Sequence, residues 1–252
     1  MIAATSPNQK NVGAYGGELI VQNLVSGYGK LVIIQNVSFS ARQNELVALL
    51  GPNGSGKSTV LKSIMGLADV KSGNIAVDGR NIVGMKTEDI TDVHIAYIPQ
   101  RENVFPNLTV KENLEIGAIT INDGQKVKEN MESVMTLFPQ LRHFSHKKAG
   151  NLSGGQRQML ALGRGLMLKP RILLLDEPTA ALAPQIVSEV LKKISEIRET
   201  GVTVVIVEQN AREALGISDR GVVLASGSVI LEDTPDAILH DPDITKLFLG
   251  VV

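Results

Sequence analysis

The stretch GPNGSGKST, residues 51–59, carries the residue types that hold polyphosphate. It follows the apolar run ELVALL and precedes VLKSIMG, so the local order is strand, glycine loop, helix. Glycines permit backbone conformations closed to other residues and let consecutive N–H groups point inward at a helix N-terminus, where phosphate oxygens are held. Lys57 adds a point charge for the outer phosphates and Ser58 a hydroxyl ligand for Mg2+. The residues expected to line a nucleotide's phosphates are Gly51, Asn53, Gly54, Ser55, Gly56, Lys57, Ser58 and Thr59.

A second apolar run, RILLLDEP, ends in two carboxylates, Asp176 and Glu177. The C-terminal edge of a parallel strand is where ligands of open α/β sheets bind. There Asp176 suits the Mg2+ shell, and Glu177 suits orienting and deprotonating an attacking water. A purely structural role would have both acids merely cap the strand edge, a reading weakened by the phosphate loop elsewhere in the chain.

LSGGQRQMLALGRGLM, residues 152–167, opens as a helix, with Ser153 as N-cap and Met159, Leu162 and Leu166 on one face. Its hydroxyl and glycine amides make another anion-binding helix end. One nucleotide has no evident need for two such cradles within one copy. A second copy resolves this, because the loop of one and the residue 152–156 helix end of the other could enclose the same γ-phosphate.

The elements that position these groups are legible from periodicity. Short unbroken apolar runs at 45–50, 95–98, 172–175, 202–207 and 221–225 predict strands buried on both faces of a mostly parallel sheet. Helical spacing between them, as at Ile186, Val190, Ile194 and Ile197 behind Pro184, predicts crossover units. Around 19–41 and 73–82, short alternating stretches broken by Gly, Asn and Asp predict antiparallel strands beside that core. Residues 107–149 hold helix formers and no strand-like run, which predicts a helical insertion.

The 252 residues suit one α/β domain. A formal charge of -1 gives no bulk reason to expect a nucleic-acid partner or an anionic membrane surface. The absence of Cys removes disulfides and thiolate metal sites and fits a reducing compartment, and the four His residues lack ligand spacing. No apolar run approaches the roughly 20 residues that span a bilayer. Residues 1–17 lack the pattern of a signal peptide and are expected to form a mobile arm.

GPNGSGKST, LSGGQ and ILLLDEP, in this order and spacing, resemble the ATP-binding subunit of an ABC transporter over about residues 18–250. The resemblance implies an α/β P-loop NTPase of the ABC type. It has a mostly parallel core, an antiparallel β subdomain and a helical subdomain, about 101–168, inserted in one domain spanning 18–252. It implies ATP and Mg2+ as ligands and a head-to-tail ATPase dimer in which Leu152, Ser153, Gly154, Gly155 and Gln156 face the partner's ATP. By the same resemblance Tyr28 stacks on adenine, and Gln100, at the end of IAYIPQ, touches Mg2+ and the attacking water. Each has a plainer alternative, as a packed aromatic at a strand end and as a polar loop residue.

RENVFPNLTVKENLEIG, DEPTAALAP, VEQNAREAL and KLFLG further resemble the smaller ATPase of branched-chain amino-acid importers, whose relatives serve urea or other amides. That subgroup implies a second ATPase subunit, with a heterodimer favoured, and membrane permease subunits. It also implies, indirectly, a substrate-binding protein and a peripheral place on the cytoplasmic face of the membrane. A groove including Phe105, Pro106 and Leu108 is expected to dock the permease, unless these residues belong to the core. The alternatives are a nucleotide-gated regulatory subunit with weak hydrolysis and the ATPase of a related transporter. A DNA-associated ABC ATPase would need coiled-coil arms or a basic bias.

The sequence departs from the general ABC pattern twice. Where Ser-Ala-Leu-Asp is usual there is Ala180-Ala181-Leu182-Ala183, without the interface carboxylate, as in the branched-chain subgroup. Where a switch His is usual, VVIVEQNA has Gln209. Three readings stand. Asn210 and Glu213 form a capping box and Gln209 is idle; or Gln209 orients the γ-phosphate or water as an amide can; or the site binds ATP and hydrolyses it poorly.

Overall fold

The computed structural model describes residues 16–101 and 103–249. The described residues begin with a hairpin, β1 (Leu19–Tyr28) and β2 (Leu31–Ala41), then enter β3 (Leu46–Leu50), the glycine loop and α1 (Lys57–Ile64). β4 (Asp69–Val77), β5 (Arg80–Asn81), α2 (Thr87–Thr91) and β6 (Ile95–Ile98) follow. Next come α3 (Val110–Gly117), α4 (Gly124–Leu137), α5 (Pro139–His143) and α6 (Gly154–Leu166). Strand and helix then alternate through β7 (Ile172–Asp176), α7 (Pro184–Glu199), β8 (Thr203–Glu208), α8 (Ala211–Leu215) and β9 (Arg220–Ala225). β10 (Ser228–Asp233), α9 (Pro235–His240) and α10 (Pro242–Leu249) are the last described elements.

Two sheets result. One is antiparallel in the order β2-β1-β4-β5; the other runs β10-β9-β3-β8-β7-β6, parallel except for the β10 edge. Alternation along each parallel strand feeds two separate cores. Leu46, Ala48 and Leu50 of β3, with Val204 and Ile206 of β8, face the core built from α6 and α7. Val47 and Leu49, with Val205 and Val207, face α1 and the antiparallel sheet. Both faces being covered explains why these strands read as unbroken apolar runs.

α3 to α6 lie between β6 and β7, and α6 joins them to the core through Met159, Leu160 and Leu162, all buried. Buried Asn113 of α3 ties down the entering loop: its side chain accepts from Phe105 N–H at 2.7 Å and donates to Phe105 O at 3.0 Å. Phe105 itself is 44% exposed, so its ring is not core; the Arg164 guanidinium lies 5.1 Å from its centre. On α7, Val190, Ile194 and Ile197 are fully buried, while Ile186 at the first turn is half-buried. Of the expected mobile arm, residues 1–15 lie outside the described residues. Gly16 and Gly17 are buried, with Gly17 N–H donating to Arg171 O at 3.1 Å and the Arg171 guanidinium to Gly16 O at 3.0 Å.

Candidate active site

The glycine loop has the shape of an anion cradle. Gly51 sits at φ 149°, where a Cβ would lie 2.2 Å from the Leu224 carbonyl oxygen, so no side chain fits. Gly56, at φ 101°, is the N-cap of α1 and offers no side-chain acceptor, leaving the first amides of α1 to face the loop. Lys57 Nζ donates to the carbonyls of Gly51 at 2.8 Å and Pro52 at 3.1 Å. Burial pulls its ammonium below the usual lysine value, opposed by the charges of Glu177, Asp176 and Glu208. Ser55 Oγ is buried and makes no hydrogen bond, so a phosphate oxygen would give it the acceptor it lacks.

Asp176 ends β7 on the α1 face of the sheet, the side set by Ile172 and Leu174. Ser58 donates its hydroxyl to Asp176 Oδ1 at 2.7 Å, and Tyr97 donates to Oδ2 at 3.0 Å. Burial, then the Asp176 charge, pushes the Tyr97 phenol well above the usual tyrosine value, so it stays a donor. Ser58 and Asp176 together present hard oxygen donors, the chemistry that suits Mg2+. Among the described residues no cluster of three or more His, Asp or Glu could hold a metal alone, so phosphate and water oxygens would complete the shell.

Glu177 is half-buried at φ 45°, a left-handed conformation uncommon for residues other than glycine. The Gln100 carboxamide donates to its Oε2 at 2.6 Å. Glu177 and Gln209 line one cleft of about 360 Å³, and Gln209 lines a second, of about 530 Å³, together with Pro52 and Asn53. Exposed Gln209 thus borders both the cleft of the carboxylate and the cleft of the phosphate loop.

Asn210 caps α8 by accepting from Glu213 N–H at 3.4 Å, but the reciprocal bond of the expected capping box is not formed. Asn210 has ψ 92°, whereas Thr109 and Ser153, whose boxes do close, both have ψ 165°. Ser153 and Gln156 use each other at the start of α6: Ser153 N–H donates to Gln156 Oε1 at 3.0 Å and Gln156 N–H to Ser153 Oγ at 3.3 Å. Leu152 and Gly155 are buried, Gly154 and Gln156 are half-buried, and Ser153 is exposed. None of residues 152–156 lines either cleft. Tyr28, 43% exposed, ends β1; the next residue's N–H donates to Asp69 Oδ2 at 2.7 Å, which fixes the hairpin tip.

Sequence reasoning missed Tyr97 and Glu208. Tyr97 could have been found only by knowing that β6 lies beside β7 in register with it, which brings its ring to the Asp176 side. Glu208, 4% exposed, accepts from Thr179 N–H at 3.0 Å and Thr179 Oγ1 at 2.7 Å. The only signal was an acid directly after VVIV.

Residues 34–180, more than half of the chain, match the family model described as ABC transporter. The chain belongs to the ABC transporter family. This ABC protein is 44% identical over 230 residues to the probable branched-chain amino acid transport ATP-binding protein LivF of Archaeoglobus fulgidus, covering 91% of this chain and 97% of that one. It is 42% identical to the high-affinity branched-chain amino acid transport ATP-binding protein BraG of Pseudomonas aeruginosa, covering 88% and 95%. Its fold matches the ADP conformation of an ATP-binding cassette of an ABC transporter with a TM-score of 0.85 at 27% identity, covering 93% and 99%. It also matches a dimeric post-hydrolysis cassette bound to ADP and Pi, with a TM-score of 0.75 at 28% identity, covering 86% and 98%. The ABC protein is therefore an ATP-binding subunit whose hydrolysis of ATP is coupled to transport. Among its described residues no helix is long and apolar enough to cross a membrane.

Proposed function

We propose that this subunit powers the import of branched-chain amino acids, the substrates named for its LivF and BraG relatives. The observation that carries the chemistry is the convergence of Ser58, Asp176, Glu177 and Gln100 at the rim of the phosphate loop. In this reading the loop amides, Lys57 and Ser55 hold the phosphates, with Thr59 following in α1, and Tyr28 receives the adenine. Glu177 takes the proton of a water aligned with the γ-phosphate, Gln100 holds Glu177 in place, and Gln209 orients the water or the phosphate. Mg2+, held by Ser58 and Asp176, would neutralise charge developing on the β- and γ-phosphates.

The exposed hydroxyl of Ser153 and the glycines behind it serve the ATP of a second ATPase subunit, as the dimeric cassette suggests. That subunit is a different chain in the cell. Closure around ATP and reopening after hydrolysis move the helical insertion, and exposed Phe105 and Pro106 dock a permease subunit at the cytoplasmic membrane face. A binding protein delivers the substrate to that permease. The relatives' names do not favour a purely regulatory subunit or a urea transporter.

The test is uptake by the assembled transporter in vesicles supplied with ATP. Leucine should enter with the intact subunit and not with Lys57→Ala. Uptake of urea in place of leucine would contradict the substrate, and full leucine uptake with Lys57→Ala would contradict the site.

A further inference from the structure

The loop that leaves β7 is conformationally expensive. Glu177 at φ 45° and Ala181 at φ 60° are both left-handed without being glycine, a state that persists only where the surroundings over-determine it. Backbone bonds do part of this: Glu177 N–H donates to Val207 O at 2.9 Å, Ala180 N–H to Glu177 O at 3.1 Å, and Leu182 N–H to Thr179 O at 3.2 Å. The middle of the loop is held by one side chain from the neighbouring strand. We propose that Glu208 is a positioning residue for the Glu177 carboxylate, acting by clasping Thr179 and so fixing the loop that carries Glu177.

The pleat gives Glu208 its place. It continues the face of Val204 and Ile206, toward α7, whereas Asp176 lies on the α1 face. The carboxylate therefore sits beneath the loop instead of joining the Ser58–Asp176 pair. Its Oε1 accepts both Thr179 donors, and its Oε2 accepts Gln209 N–H at 3.3 Å. Among the described residues it has no ion-pair partner within 4.0 Å, so these three bonds are its compensation for burial. A further apolar residue would complete β8 without that cost, since burying an acid is unfavourable unless its oxygens are used. What the acid adds is direction. It ties the Glu177 loop and the Gln209 backbone, the two walls of one cleft, to a single rigid strand end.

Burial pushes the Glu208 carboxyl up, while its Thr179 bonds pull it down and the Glu177 charge adds to the rise. The clasp survives protonation, because an acid oxygen still accepts from both Thr179 donors. Glu208→Gln therefore keeps the grip on Thr179 and loses only the longer bond to Gln209.

The inference rests on Glu177 being the residue that activates water. A reacting group displaced by about 1 Å can cost on the order of 100-fold in rate. In ATPase assays of the full chain, Glu208→Ala should lower kcat at least about tenfold with KM for ATP within about threefold, and Glu208→Gln should recover to within about threefold of wild type. Thr179→Val, which keeps the N–H and loses the hydroxyl, should show a smaller drop, and combining it with Glu208→Ala should cost no more than Glu208→Ala alone. If Glu208→Ala does not fold, Glu208→Gln and Thr179→Val decide. Wild-type kcat in Glu208→Ala or Thr179→Val, a Gln variant no better than the Ala variant, or additive losses in the double variant would each overturn the clasp. Glu177→Gln is measured alongside: if it abolishes turnover while the Glu208 variants keep theirs, only the clasp fails. If Glu177→Gln turns over normally, the reading beneath it fails.

Discussion

Gly155→Ala is a test of how the start of α6 is held, because that residue meets α7 with nothing to spare. An added Cβ would lie 2.4 Å from Ile186 Cγ2, with Ile186 Cβ at 3.7 Å and Cδ1 at 3.8 Å. The optimum for two carbons is about 3.5–4.0 Å, so the overlap is roughly 1 Å or more and concentrated on one methyl. Overpacking of this kind costs about 1–3 kcal/mol. Ala gains up to about 1 kcal/mol over Gly in a helix interior and less in a first turn, which leaves a net loss of about 1–2 kcal/mol. The relief should be specific. Ile186→Ala removes the clashing methyl, so the double variant should be more stable than the sum of the singles by at least about 1 kcal/mol. Urea unfolding of wild type, both singles and the double measures this, and ATP turnover should follow, since Ser153 and Gln156 move with the helix end. A Gly155→Ala variant more stable than wild type, or strict additivity, would show that the contact with Ile186 is not tight.

Tyr97→Phe removes one donor from Asp176 and should raise the Mg2+ concentration needed for half-maximal turnover about tenfold, the scale for groups that orient metal ligands, with kcat at saturating Mg2+ nearly kept. An unchanged magnesium titration would show that bond to be idle. Gln209→Ala should lower kcat several-fold and Gln209→His should retain it, since the exposed residue lines both the Glu177 cleft and the phosphate-loop cleft; equal rates for all three would make it a bystander. For Glu208 the sign of the pH effect is fixed. Its folded pKa is raised above the ordinary 4.5, so the native state holds the proton longer, and the contribution to stability falls as pH rises from that value through the folded one. Glu208→Gln should therefore gain stability relative to wild type across that rise in denaturation midpoints, and a difference that shrinks would contradict the buried acid.

Much of this was legible because each signal had one physical cause. Runs such as ILLL and VTVVIV are apolar on both faces since two cores need them, and Lys57-Ser58 after Gly56 has little use except at a phosphate. The strand order was not legible, and with it went Tyr97, whose contact with Asp176 exists only because β6 lies beside β7. Glu208 stands in the sequence only as an acid at a strand end, yet it continues the inward face of β8 and bonds a loop 29 positions earlier. The capping box at Asn210 failed on backbone geometry that residue types do not encode, the ψ of 92°. Ile186, counted on the core stripe of α7, is only half-buried because it lies at the first turn against Gly155.

If Glu177 carries hydrolysis while the phosphate loop carries binding, one substitution should separate the two. The decisive experiment is single-turnover ATP hydrolysis by Glu177→Gln, with nucleotide binding and assembly state measured on the same sample. ATP should bind at near wild-type affinity, the rate should fall at least about 100-fold, and an ATP-bound dimer should accumulate. Hydrolysis at the wild-type rate would contradict that role of Glu177.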